Sequence, residues 1–115
     1  MCGNTACRLQ NTGCFSLARY DAYWSPERDC YLIDVQSDLI GGLSSRVVIP
    51  AYPFEKAPKQ IARLNPDLQI GGRNCVLMTD FISAVPERGL GRPVENLAAE
   101  HDKIVMALDL LFTGI

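Results

Sequence analysis

The sequence predicts an α+β domain, and three features carry that prediction. Short runs of β-branched and aromatic residues alternate with breaks rich in Gly, Pro and Asn, the make-up of antiparallel strands. One break is the Gly71-Gly72 pair between two strand-like runs, where glycine supplies the positive φ of a tight hairpin turn. The final stretch carries Leu97, Ile104, Leu108 and Leu111 at helical spacing, the mark of an amphipathic helix.

In order along the chain, Met1 to Cys14 is rich in Gly, Asn, Thr and Cys without a sustained period, and reads as a disordered leader or a misassigned start. The domain is expected over residues 15–115. Phe15, Leu17 and the region of Tyr20 form a first strand candidate, interrupted by a loop at Trp24-Ser25-Pro26-Glu27. Cys30 to Gln36 is the next strand, and Gly41-Gly42 turns the chain into a third, Arg46 to Ile49, which Pro50 is expected to stop. Three further prolines between Ala51 and Pro66 predict a loop with one helical turn near Lys59 to Leu64. Leu68 to Ile70 and Asn74 to Thr79 flank the Gly71-Gly72 turn. Phe81 to Val85 continues as strand or turn, and Pro86 to Pro93 is a punctuated link. The helix that follows has Glu95, Glu100 and Asp102 near its start, where the helix dipole favours negative charge. Gly114 stands just past its last turn as a stop signal. Burial of five or six of its apolar side chains is expected, each contributing roughly 1.5–3 kcal/mol before the entropy of ordering.

Composition narrows the function. The chain has 115 residues, 48% of them hydrophobic, with 11 Lys+Arg against 13 Asp+Glu. One core of modest size fits that length. A net charge of −2 argues against a protein that grips nucleic acid through its phosphates. No direct sequence-specific nucleic-acid binding is expected. The most apolar stretch is broken by Glu100, Asp102, Lys103 and Asp109, so no membrane span is expected, and without an export signal a cytoplasmic protein is the default. Of the five cysteines, Cys2, Cys7 and Cys14 lie in the leader; their odd total and their spacing favour reduced thiols over a disulfide framework or a zinc site.

No phosphate-binding glycine loop occurs, and His101 has no carboxylate partner set by spacing. Asp34 and Asp38, on a strand and its exit, do not make a matched acid/base pair; one is expected to bond to a turn and the other to be solvated. Catalytic residues, metal ligands and cofactors are therefore all expected to be absent. Residue patterns alone leave a cytoplasmic α+β domain of unassigned function.

An ordered series of motifs goes further. Tyr31-Leu32-Ile33-Asp34-Val35-Gln36-Ser37-Asp38-Leu39-Ile40 is followed by Arg46-Val47-Val48-Ile49-Pro50, then by Leu64-Asn65-Pro66 and Ile70-Gly71-Gly72. Thr79, Ala84-Val85-Pro86 and finally Ala107 to Ile115 complete the series. In this order the motifs resemble the CcdB toxins of bacterial toxin–antitoxin systems over roughly Phe15 to Ile115. The resemblance implies an SH3-like antiparallel β-barrel with an added small sheet and a C-terminal α-helix. It implies a homodimer formed around the region after the Asp34–Asp38 motif and the helix. Family members are not enzymes; they bind the A subunit of DNA gyrase and trap it with cleaved DNA, and a cognate CcdA-like antitoxin removes them.

By position, the gyrase-binding set implied is Leu39, Ile40, Phe112, Gly114 and Ile115. The best-known member has a tryptophan where this chain has Thr113, an acid at His101 and an amide at Met106. Two other readings stay open: an endoribonuclease toxin on the same barrel, and a relative that binds an antitoxin but not gyrase.

Overall fold

The computed structural model describes residues 18–40 and 42–114. Strand β2 (Cys30–Asp34) is buried at every position. Alternate side chains of a strand point to opposite faces, so a strand buried throughout must have both faces covered. On one side Tyr31 and Ile33 join the main core with Ala22, Ile49, Ile70 and Leu77. On the other, Cys30 and Leu32 join a smaller cluster with Val48 and Val85, flanked by Tyr52 and Leu90.

Around β2 run β1 (Asp21–Ser25), β3 (Ser45–Pro53), β4 (Asp67–Ile70), β5 (Arg73–Leu77), β6 (Ser83–Pro86) and β7 (Glu95–Asn96). All pairings are antiparallel, in the order β4-β5-β3-β2-β1-β7, with β6 attached to β3. The result is a curled sheet forming a half-barrel, followed by one helix, α1 (His101–Thr113). The expected α+β class and barrel-like curl are what the chain adopts.

The curl originates in β3. One edge of this nine-residue strand pairs with β2, while its other edge pairs first with β6, through Ser45 to Val48, and then with β5, through Ala51 to Pro53. Pro50 does not stop the strand, contrary to expectation. Its carbonyl accepts the Met78 N–H at 2.8 Å, so its backbone faces the β5 side. Its missing N–H thus falls in the gap where β3 exchanges one partner for the other, and no ladder bond is lost.

The first strand also shifts. It spans Asp21–Ser25 and includes Trp24 and Ser25, which were expected in a loop; the turn is confined to residues 26–29. Trp24 pairs with Tyr31 across the sheet, their rings edge to face at 4.9 Å. That cross-strand aromatic contact outweighs the turn signal of the neighbouring proline. The Phe15–Leu17 part of the candidate and the 1–14 leader lie outside the described residues, as does Gly41.

Other expectations hold more closely. Gly71 and Gly72 have φ of 59° and 81°, both left-handed, and close the β4–β5 hairpin as a primed turn. Between β3 and β4 the chain makes two helical turns: a 3-10 turn at Phe54–Lys56, where none was expected, and a turn at 61–65 overlapping the expected one at Lys59 to Leu64, where Ile61 O accepts from the Leu64 and Asn65 N–H.

Candidate functional site

The helix begins later than its apolar spacing predicts. A short 3-10 turn over Ala98–Glu100 precedes it, with the Ala98 N–H held by Asn96 Oδ1 at 2.9 Å. Leu97, Ile104 and Ala107 are fully buried, and Leu108 packs partly against the core. The expectation of five or six buried side chains is not met. α1 meets the body through its first turns, near the 3-10 turn at Thr79–Phe81, and no residue after Ala107 is fully buried. Met106 is 55% exposed and Phe112 67%. Each large apolar side chain left in water forgoes roughly 1.5–3 kcal/mol that burial would contribute, so the outer part of the helix is displayed rather than packed.

Gly114 ends the helix at φ 77°, its N–H shared between the Asp109 and Leu110 carbonyls at 3.2 and 3.1 Å. Only glycine takes this left-handed cap without strain. Thr113 turns its hydroxyl back along the helix to donate to Asp109 O at 2.6 Å. Ile115 lies outside the described residues.

Leu39 and Ile40 sit in the loop between β2 and β3, 95% and 50% exposed, with Leu43 at 50% nearby in sequence. Of the expected set, Leu39 and Ile40 sit on this loop and Phe112 and Gly114 at the end of α1, with Thr113, where the best-known family member has a tryptophan, between the last two. All five are exposed.

Beneath the loop is an arrangement that sequence reasoning missed. Asp34 is fully buried, and Arg46 Nε donates to its Oδ2 at 2.8 Å. Arg46 Nη2 lies equally close to the same oxygen, as an ion pair rather than an aligned hydrogen bond. Burial pushes the Asp34 carboxyl above its ordinary value, against the opposing pull of the Arg46 guanidinium. Its Oδ1 accepts the Gln36 N–H at 3.0 Å, the turn bond expected of one of the two aspartates. The exposed Asp38 accepts the Arg19 N–H at 2.8 Å. An acid between Ile33 and Val35, with an arginine heading the next strand, was the readable signal for the buried pair.

His101 is exposed, at the first position of α1, with Nδ1 2.6 Å from the Tyr20 hydroxyl. Tyr20 has φ 74°, unusual for a bulky residue, and its backbone is pinned on both sides by Asp34 O and Leu97 N–H. The histidine thus joins the start of the helix to the start of β1. Cys30 and Cys75 are buried free thiols; burial pushes Cys30 up to about 11 and raises Cys75 as well. Among the described residues no group of three or more His, Cys, Asp or Glu is placed to hold a metal, and no helix is long and apolar enough to cross a membrane.

A small curled sheet that displays apolar side chains on a loop and a helix end has the make-up of a domain that works by contact with another protein. The family model described as CcdB protein matches residues 19–114. The chain belongs to the CcdB family, the toxins of bacterial toxin–antitoxin systems.

Proposed function

We propose that this protein is a toxin that binds the A subunit of DNA gyrase as a homodimer, traps or inhibits it in the cytoplasm, and is released by a cognate CcdA-like antitoxin. One observation carries the reading: Phe112, 67% exposed, stands on the last turn of a helix that Gly114 ends in a left-handed cap. An apolar side chain fixed at such an end is a preformed contact, which lowers the ordering cost of binding. Two copies related by a dyad present two such ends to a two-fold target. Leu39 and Ile40 extend the contact surface. The gyrase reading is preferred to RNA cleavage because the chain is acidic overall and its one histidine is engaged by Tyr20.

The antitoxin is assigned to the side of the β1–β2 turn. There an open groove of about 430 Å³ is lined by Trp24, Arg28, Leu32, Val85 and Leu90. An extended segment that orders on binding suits so shallow a channel.

Deletion of Gly114-Ile115 tests the reading. The truncated protein is expected to fold as the full chain does, to lose capture of a gyrase A fragment, and to lose toxicity on induction. A host with resistant gyrase is expected to survive the full chain. Undiminished toxicity of a folded truncation, or killing of the resistant host, defeats the reading.

A further inference from the structure

Leu39 and Ile40 lie where no regular structure holds the chain, since β2 ends at Asp34 and β3 begins at Ser45. Their side chains are exposed, so packing does not set the conformation in which they are displayed. Hydrogen bonds do. Ser37 O accepts the Ile40 N–H at 3.1 Å, and Ser37 Oγ accepts the Leu39 N–H at 3.1 Å. Both bonds are local to the turn and leave its placement against the sheet open.

That placement comes from two side chains: Asp38 Oδ1 accepts the Arg19 N–H at 2.8 Å, which holds the loop to the residues before β1, and Gln36 holds it to β3. Gln36 Nε2 donates to the Ile40 carbonyl at 3.0 Å, and Gln36 Oε1 accepts the Val47 N–H at 3.2 Å. A single amide therefore ties the loop to β3. Gln36 is 8% exposed, and its own N–H is held by Asp34 Oδ1, the carboxylate that Arg46 anchors. The chain of contacts runs from the buried ion pair through Gln36 to the residues on display.

We propose that Gln36 is a positioning residue of the partner-binding surface, fixing against β3 the backbone from which Leu39 and Ile40 project. The proposal rests on the assignment of those two residues to the contact surface. The chemistry demands an amide. Oε1 must face a donor and Nε2 an acceptor, across the span from β3 to the loop. Glutamate sets an acceptor against the Ile40 carbonyl, asparagine is a methylene too short, and methionine fills the space with neither bond. Without the tie the loop samples other conformations, and a partner selects the competent one from a smaller population.

The test uses the full chain with Gln36→Met and, should that variant fail to fold, Gln36→Asn. Two readouts are taken. The first is amide hydrogen exchange, which needs no partner. Exchange at Ile40 and Val47 is expected to quicken by about tenfold or more, with the β4–β5 amides unchanged. Unchanged exchange at Ile40 and Val47, or equal quickening throughout the sheet, overturns the proposal. The second is calorimetric binding of a gyrase A fragment. Affinity is expected to fall about tenfold in the native background and by less than about twofold when Leu39→Ala and Ile40→Ala are already present. An equal loss in both backgrounds, or none in the first, counts against positioning. If the unaltered chain fails to bind the fragment, the gyrase reading falls while the exchange result still decides the role of Gln36.

Discussion

Asp34 and Arg46 sit at the junction of the sheet and the displayed loop, with side chains 0% and 6% exposed. A charge taken out of water is tolerable only while its counter-charge and hydrogen bonds are in place. Asp34→Asn leaves the guanidinium buried and unpaired, and the expected loss of stability is about 3–5 kcal/mol, measured by urea unfolding. Cys30 predicts a pH effect of definite sign. Its thiol is held up to about 11 from an ordinary value of 9.0, mainly by burial. Above 9 the unfolded chain gives up this proton before the folded chain does, so stability falls as pH rises towards 11. The slope attributable to this group approaches about 1.4 kcal/mol per pH unit. Comparison with Cys30→Ala isolates it: the variant is expected to lose less stability over that interval. Both effects belong to single side chains whose environment was invisible in composition, although Asp34 within an apolar run hinted at the first.

Among the elements, the β4–β5 hairpin and the Gly114 cap were legible because glycine at a forced left-handed position is a local necessity. Gly71→Ala tests the hairpin. At φ 59° an alanine is strained, and its Cβ would stand 3.4 Å from the Tyr31 hydroxyl. A loss of about 1–2 kcal/mol is expected, read as a lower urea midpoint with an unchanged slope. β1 and β3 were misjudged for one shared reason: their limits are set by partners. Tyr31 draws Trp24 into β1, and the change from β6 to β5 gives Pro50 a place where its lack of an N–H costs nothing. The helix was found, yet its spacing promised more burial than occurs. Periodicity marks an apolar stripe without saying whether the stripe's cover comes from the same chain.

For the whole molecule, Met106 and Phe112 on the helix and Leu39, Ile40 and Leu43 on the loop form exposed apolar surface, beside separate exposed side chains such as Phe54 and Ile61. The homodimer proposed above would cover part of it, and linkage would then make stability depend on concentration. Sedimentation is expected to show a dimer at micromolar concentrations, and the melting temperature is expected to rise with protein concentration. A monomer with a concentration-independent melting temperature contradicts the dimer. The motif series, dispersed from Tyr31 to Ile115, was what made family and fold readable together. The display surface itself was legible only through the family resemblance, because Leu39, Ile40 and Phe112 look in sequence like any core residues.

By itself the sequence determined the class, the hairpin, the helix and its cap, and the family. These follow from local backbone demands and from ordered motifs, which need no knowledge of distant contacts. Only the tertiary structure decided which apolar residues remain in water, how β3 carries a proline between two partners, and that Asp34, Arg46 and Gln36 form one support beneath the loop. Those outcomes depend on what lies opposite each residue across the sheet, and that neighbour is chosen by the curl of the whole chain.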